Sequence, residues 1–458
     1  MNPQFGKATA LGDGVKGHRS RVRVYFTFSD RSRFGIDMFP ANNSFSRPGV
    51  PRVLIFFFGL TVALCFASGA HAQSRLSLHQ AIQLAQDSPA ARIGNSEVAA
   101  MKGVVKQAGV RPNPRLFLQV EDLRPWASDY TFSQNTEDYA YVSQTIETDG
   151  KRSNRVHLAE ARLQQTEAQR LLQMQQLDAR AAASYWNAVS TARISQLMQQ
   201  DLNAMNETIR YQQDRVNAGA MRGVDLVRMQ IERDRLSMAL EAARRQAKTA
   251  RLELARQIGR QLPDDVELTD SLEAIDQIPK QTLEDVLARR ADVTMARQAV
   301  AAAEADLKLQ KSMRMPDIDV VGGFKRNLAD NTLYMGVQAP LPLWNKNQGE
   351  TERAKASVQA AEGQLEQTVF GVKQDVASAT ATYDQELTTI QTTLPDARER
   401  ARQNLGIMRD AYVSQGSDLL RYLDAERTEI EVEADAFRAL AEFQLAAVQL
   451  KLAYGVEP

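Results

Sequence analysis

A run of 68 residues without glycine or proline, residues 151–218, constrains the fold of this chain more than any other feature. The run is rich in Ala, Gln, Arg, Glu and Leu, all of which favour helix. An unbroken helix of that length is roughly 100 Å long, which no ordinary globular domain needs. Its apolar residues recur mostly at intervals of three and four, and many are alanine. The pattern therefore predicts closely packed antiparallel helices.

The N-terminal part of the chain has the features of an export leader rather than of a fold. The apolar run 53–68 follows two arginines and precedes Ala70-His71-Ala72, the small-x-small pattern cut by signal peptidase. We therefore assign residues 1–72 to a leader cleaved near Ala72, with Met38 as an alternative translation start. Lipidation at Cys65 is disfavoured because a bulky leucine precedes this cysteine.

Charge and composition exclude several classes of function. The leader holds nine of the 56 basic and three of the 56 acidic residues, so the remainder is net acidic by about six and lacks a nucleic-acid footprint. His79 and His157 are isolated, and no cysteine or activated serine accompanies them. Met313 and Met315 fit gap filling better than binding of a soft cation. We predict no enzyme activity, no cofactor and no resident metal.

The order of the predicted elements occurs twice, which is the strongest internal evidence in the sequence. A shift of 195 residues lays Ala159 on Ala354 and Glu167 on Glu362, and the motif Asp225-Leu226-Val227-Arg228 answers Asp418-Leu419-Leu420-Arg421. A kink is expected near Pro395 in the second long helix. The predicted bounds are 73–265 for the first repeat (hairpin 114–147, long helix 150–216, return helix 224–258) and 266–458 for the second (hairpin 316–342, long helix 347–412, return helix 418–454).

Each repeat contains a hairpin whose side chains alternate between apolar and polar, with about ten residues per strand. Three chains would close twelve such strands into a β-barrel continued by an α-helical tube, because four strands leave two open edges. A small soluble sheet is the alternative. Concentrated aromatic residues favour an interfacial girdle: Trp126, Tyr130, Phe132, Tyr139, Tyr141, Phe324, Tyr334 and Trp344. The predicted lipid-facing residues are Ile318, Val320, Leu333, Met335 and Val337. The predicted lumen residues are Asp317, Asp319 and Gln338.

Three further motifs connect the chain to a known family. They are Arg111-Pro112-Asn113-Pro114-Arg115-Leu116, Asp149-Gly150-Lys151-Arg152, and the stretch PLPLWNKNQG at residues 340–349. With the twofold repeat, these motifs resemble the TolC-like outer-membrane factors, in particular the branch that serves cobalt–zinc–cadmium exporters. The resemblance implies a homotrimer in outer-membrane lipid, a periplasmic membrane-fusion adaptor and an inner-membrane resistance–nodulation–division pump. Many relatives are lipoproteins, and this chain departs from them in its poor lipid-attachment signal.

The turns at the far end of the long helices are the predicted periplasmic tip. Gly219 and Gly416 reverse the chain. Acidic and basic residues follow each turn: Arg222, Asp225, Asp418 and Arg421. In a closed trimer these carboxylates would crowd the threefold axis, where they would favour cations and require arginine partners. Asp418 is also placed to cap the helix that follows it.

The predicted function is an outer-membrane exit duct for divalent heavy-metal cations delivered by a proton-driven pump. A duct for drugs or for a secreted polypeptide is the first alternative, because a duct need not recognise its cargo. A periplasmic coiled-coil structural or adaptor protein is the second. It would be soluble and would not remain in the outer membrane.

Overall fold

The computed structural model describes residues 75–219, 222–263, 266–275, 277–327, 330–414 and 418–457. The leader 1–72, with Met38, Cys65 and the cleavage site, lies outside the described residues, as does Gly416 of the predicted tip.

Helices account for most of the described chain. The helices are α1 (Leu78–Gln86), α2 (Pro89–Ala108), α3 (Phe132–Asn135), α4 (Lys151–Asn217), α5 (Gly223–Ile258), α6 (Leu283–Arg289), α7 (Ala291–Ser312), α8 (Gln348–Thr388), α9 (Leu394–Val413) and α10 (Leu419–Tyr454). The strands are β1 (Arg75–Leu76), β2 (Arg115–Glu121), β3 (Glu137–Ile146), β4 (Glu267–Leu268), β5 (Ile318–Asn327) and β6 (Asp330–Gln338). Within the described ranges, every helix is too short or too polar to cross a membrane.

The Gly- and Pro-free run forms one continuous helix, α4, of 67 residues, as the sequence predicts. Gly150 precedes it in the left-handed conformation, with φ of 66°, which glycine adopts without steric cost. Helices α2, α5, α7 and α10 all contact α4. The contact face of α4 is built largely from small residues, including the buried Ala181, Ala182 and Ala188. Alanines allow neighbouring helix backbones to approach closely, so the helical columns pack tightly.

The second long helix is interrupted close to Pro395, where the sequence predicts a kink. A π-helical turn, Thr389–Thr393, joins α8 to α9 just before the proline. Proline has no amide hydrogen and its ring collides with the carbonyl one turn earlier. The wider π turn accommodates that collision while the helical path continues.

The largest core cluster lies where the short elements meet the long helices. The parallel strands β1 and β4 pair there, and fully buried Tyr185 of α4 donates a hydrogen bond to the Leu76 carbonyl at 3.0 Å. The same hydroxyl lies 2.5 Å from the Asp270 carboxylate. Buried Leu254 and Phe443 belong to the same cluster. One hydroxyl thus ties the start of the described chain to the linker between the repeats.

We expect Gly259→Ala to destabilise the protein more than Gly150→Ala. Both glycines have φ near 67°, at 68° and 66°, which costs an alanine about 1 kcal/mol. A Cβ on Gly259 would also lie 2.8 Å from Pro89 Cδ and 3.0 Å from Ser88 Cβ, whereas nothing lies within 4 Å of one on Gly150. The added overlap should cost about 1–3 kcal/mol more. Thermal unfolding of the two variants measures the difference, and equal shifts would show that α2 moves away freely.

Candidate functional site

The four long strands form one antiparallel sheet in the order β2-β3-β5-β6. Strands β3 and β5 pair from Glu137↔Asn327 to Ile146↔Ile318, so the central pairing joins the two repeats. This pairing leaves β2 and β6 as the edges. An exposed edge strand presents unpaired backbone donors and acceptors, ready to bind another strand.

One face of the sheet is apolar and exposed. The register pairs Val320 with Val337 and places Leu333 and Met335 on the same face, so the five residues predicted to face lipid share one surface. Leu333, Met335 and Val337 are 83%, 87% and 73% exposed. The other strands add further apolar residues to this face: Leu116, Leu118, Val120, Ala140, Val142, Ile146 and Phe324. Such a continuous exposed apolar surface marks an interaction face, either with a membrane or with another protein.

The opposite face is polar. Asp319 and Gln338 pair directly across it, as expected for residues predicted to line a lumen. Arg115 Nη2 lies 3.3 Å from an Asp319 carboxylate oxygen. Lys325 Nζ lies 2.8 Å from Glu137 Oε2. Polar and ionic partners on one face and mainly hydrocarbon on the other make the sheet amphipathic. Beyond Phe324, the ion pair of Arg326 with Asp138 ends the apolar surface.

Three strand aromatics contradict the expected interfacial girdle. The register places Tyr139, Tyr141 and Tyr334 on the polar face, opposite Met335 and its neighbours, whereas a girdle faces lipid. Phe324 is on the apolar face. The error came from counting aromatic residues near the strands without applying the two-residue alternation to each of them.

Asp317 lies at the junction between the sheet and the helices rather than within a strand. Its carboxylate accepts a hydrogen bond from the Thr148 backbone amide at 3.1 Å and lies 2.6 Å from Lys151 Nζ. The Lys151 side chain is only 5% exposed. Arg155 at the same junction binds Glu147 and the Ala108 carbonyl. These ion pairs fix the start of α4 against the strand ends, a role that the sequence reading missed.

The described parts of the two tip turns differ from each other. Gly219 is left-handed, with φ of 72°. Asp225 is buried; Arg222 Nε donates to its Oδ2 at 3.2 Å, and its Oδ1 has no hydrogen-bond partner. Asp418 occupies the N-cap position of α10, but its side chain makes no capping bond. The Arg421 backbone amide donates to the Asp418 carbonyl at 3.1 Å. In the first repeat, Arg222 and Asp225 form an ion pair of the kind that the sequence predicts at the tip.

The two repeats pack together near these turns through a small apolar cluster. Its buried members are Met205, Ile209, Leu226, Met229, Leu419 and Leu423. The rings of Tyr412 and Tyr422 stack beside it with centroids 5.5 Å apart. Leu226 and Leu419 are equivalent in the repeat, and the residues that follow them, Val227 and Leu420, are both more than half exposed.

Carboxylates accumulate where α4 meets α10. Asp201 and Glu426 each have a buried oxygen without a hydrogen-bond partner. Desolvation, together with the charges of Asp201 and Glu429, raises the pKa of Glu426 to about 7. Desolvation, with Glu429, raises the pKa of Asp201 to about 6. Glu433, one turn beyond Glu429, differs because two arginines bind it: Arg398 at 2.6 Å and Arg402 at 2.7 Å. These residues are far apart in sequence, so no local motif indicated the cluster.

This cluster predicts a pH dependence of stability. Folded Glu426 holds its proton up to about pH 7, whereas the unfolded group releases it near 4.5. The folded state therefore binds more protons between these values, and stability falls as pH rises through the window. We expect Glu426→Gln to raise the melting temperature at pH 8 and to change it little at pH 5. Exposed Glu442→Gln on the same helix is the control, and parallel shifts in both variants would refute the assignment.

No metal centre is evident in the part of the chain that the structure describes. Groups of three or more His, Cys, Asp or Glu residues able to hold a metal are absent from those ranges. His79 and His157 lie on helix surfaces, where their nearest polar partners are Gln83 and Glu160.

Comparison with known proteins finds similarity to efflux and metal-resistance proteins. Residues 282–456 match the family model described as outer membrane efflux protein. The chain is 24% identical over 335 residues to the cobalt-zinc-cadmium resistance protein CzcC of Cupriavidus metallidurans, covering 72% of this chain and 78% of that protein.

Solved structures with the same fold cover most of the chain. A membrane protein from Pseudomonas aeruginosa superposes with a TM-score of 0.71 at 19% identity, over 83% of this chain and 90% of that one. The open state of the MtrE outer membrane channel of Neisseria gonorrhoeae gives 0.70 at 20% identity, over 83% and 89%. The predicted fold class, mainly helical with a small sheet of four strands, is confirmed.

Proposed function

We propose that this chain is a TolC-like outer-membrane efflux protein and forms the outer-membrane exit duct of a tripartite efflux system for divalent heavy-metal cations. The observation that carries the proposal is the amphipathic four-stranded sheet at one end of long helices, with both edge strands unpaired within the chain. The metal cargo is taken from the resistance protein for cobalt, zinc and cadmium that covers most of the chain.

Three copies complete the duct. Pairing β2 of one copy with β6 of the next gives twelve strands, satisfies both edges and turns the apolar face outward to lipid. Residues Asp319 and Gln338 then face water, and α4, α5, α8, α9 and α10 continue the wall as a helical tube into the periplasm. The duct conducts passively, because the chemistry and the energy belong to the inner-membrane pump.

The adaptor docks on the tip turns. Val227 and Leu420 occupy equivalent positions in the two repeats, and both are exposed beside buried leucines. A trimer presents six such sites around its lower rim. Exposed apolar side chains on a rim of alternating Asp and Arg fit a partner with apolar side chains and a few complementary charges.

Growth on toxic cations tests the cargo. A strain that carries the pump and adaptor but lacks this chain should become sensitive to Zn²⁺, Co²⁺ and Cd²⁺ and regain resistance when the chain is restored. The same strains are grown with cationic dyes. Restored resistance to dyes alone would replace the metal duct with a multidrug duct.

Fractionation tests the duct itself against a periplasmic stalk. The duct should stay in the outer-membrane fraction and run as a compact trimer in unheated detergent gels. A chain recovered in the soluble periplasm would refute the membrane role.

At the tip, we expect Asp225→Ala combined with Asp418→Ala to weaken cation preference and divalent block in planar bilayers. The buried Asp225 carboxylate, bound to Arg222, and its exposed counterpart Asp418 supply six negative charges to a closed trimer. Reversal potentials in a salt gradient measure the preference. If the double variant keeps wild-type selectivity and conductance, Asp225 and Asp418 have no role in ion selection and serve only at the starts of their helices.

A further inference from the structure

An aromatic row crosses the polar face of the sheet. Phe117 of β2 pairs with Tyr141 of β3, Tyr141 pairs with Gly323 of β5, and Gly323 pairs with Tyr334 of β6. The rings of Phe117 and Tyr141 stack with centroids 4.7 Å apart. Tyr141 and Tyr334 meet edge to face at 5.9 Å. Each of the four strands thus contributes one residue to a continuous row. Gly323 is the member of this row that has no side chain.

Gly323 allows the row to close. A Cβ at this position would lie 2.4 Å from Tyr141 Cβ and 2.5 Å from the Ala140 carbonyl oxygen, far inside van der Waals contact. Without a side chain there, Tyr141 and Tyr334 meet across β5. A groove of about 440 Å³ lies beside their rings and extends to Gly336 and Gln338.

The surroundings of the row favour cations. The next row of this face lies towards the end of the sheet that is away from the long helices. There, Lys325 Nζ lies over the Tyr139 ring, 4.8 Å from its centroid. Beyond it, Glu121, Glu137 and Asp330 belong to one cross-strand row. The outer part of the polar face therefore holds more carboxylates than amines. A ligand cation reaching the tyrosines from this end passes negative charge before it meets the ring faces.

We propose that the duct contains an aromatic collar formed by Phe117, Tyr141 and Tyr334. The collar narrows the duct and binds organic cations of the quaternary ammonium class. Aromatic faces bind such cations within about 6 Å of the ring centroid. The inference rests on the proposed trimeric barrel, since only closure brings three copies of the row around one lumen.

Geometry supports the narrowing. Twelve strands about 4.8 Å apart and tilted by about 40° close a cylinder of roughly 24 Å backbone diameter. Because the strands tilt, each row is slanted, and three rings related by symmetry share any given height. Rings that reach roughly 6 Å inward leave an opening of roughly 12 Å. A tetraethylammonium ion that crosses such an opening passes within roughly 6 Å of the rings, which is the range of the cation–π attraction.

Planar-bilayer recordings of the purified full-length protein test the collar with tetraethylammonium added to one side at a time. Wild-type channels should be blocked when tetraethylammonium is added on the side where Glu121, Glu137 and Asp330 lie, the end of the sheet away from the long helices. Tyr141→Leu combined with Tyr334→Leu should weaken the block about tenfold and raise the open conductance, because the ring faces are lost. Tyr141→Phe combined with Tyr334→Phe should keep the block, because those faces remain. If the leucine pair fails to assemble, Tyr334→Leu alone should still weaken the block.

Two controls separate the collar from other parts of the duct. Thr332→Ala removes a side chain from the same face without removing a ring, and Glu442→Gln alters an exposed helix position outside the sheet. Both should leave the block unchanged. Unchanged block in the leucine variants, or block lost with Thr332→Ala or Glu442→Gln, would refute the collar while leaving the duct. Absence of any channel from the wild-type protein would overturn the duct and the collar together.

Discussion

Met335→Arg should abolish assembly of the protein in the outer membrane. Met335 is 87% exposed in the chain and lies near the middle of β6, on the apolar face with Leu333 and Val337. An arginine on a lipid-facing strand costs roughly 2–4 kcal/mol near the bilayer midplane. In the proposed trimer, three copies bear that cost. We expect the compact trimer band of unheated detergent gels to disappear and the chain to be degraded or to aggregate.

Gln338→Arg is the matched control for this experiment. It places the same side chain on the same strand but on the polar face, directly opposite Asp319. The new guanidinium can pair with that carboxylate in water, so assembly should survive. Failure of Gln338→Arg together with survival of Met335→Arg would mean that the two faces of the sheet are assigned the wrong way round.

The two faces could be assigned from sequence because strand side chains alternate with a period of two. Ile318, Val320, Leu333, Met335 and Val337 were placed on one face by that rule, and the register agrees. The length of α4 was equally readable, since its bounds coincide with breaks at Gly150 and Gly219. The local sequence pattern was enough to predict an element wherever one periodicity continued without interruption between two glycine turns.

Pairings between distant segments could not be read in the same way. Alternation states which side chains share a face but does not state which strand lies beside which. The β3–β5 pairing, and with it the row formed by Tyr141 and Tyr334, therefore appeared only in the structure. The approach of Asp201 to Glu426 is similar, because it depends on the relative rotation of α4 and α10, which each helix sequence leaves undetermined.

The ion pairs at the junction bear directly on stability, and we expect Asp317→Ala to cost about 3 kcal/mol. The Lys151 amine is almost completely buried, and its bond to Asp317 is 2.6 Å long. Removing one partner of a buried pair leaves an uncompensated charge, which costs about 3–5 kcal/mol. The lower value applies because the Asp317 side chain is 36% exposed and water can partly replace it. The Thr148 amide also loses its acceptor.

A second substitution tests whether the cost comes from the unpaired, buried charge of Lys151 or from a general loss of packing. Lys151→Met removes the amine but keeps an apolar stem of similar length, so Asp317→Ala combined with Lys151→Met should be more stable than Asp317→Ala alone. Glu241→Ala is the control. The side chains of Glu241 and its partner Arg244 are 56% and 50% exposed, and exposed pairs contribute less than about 1 kcal/mol. Guanidinium unfolding of the purified protein in detergent, followed by circular dichroism, ranks the variants. If the double variant is no more stable than Asp317→Ala, the cost lies in the lost contacts around Thr148 and not in the buried Lys151 charge.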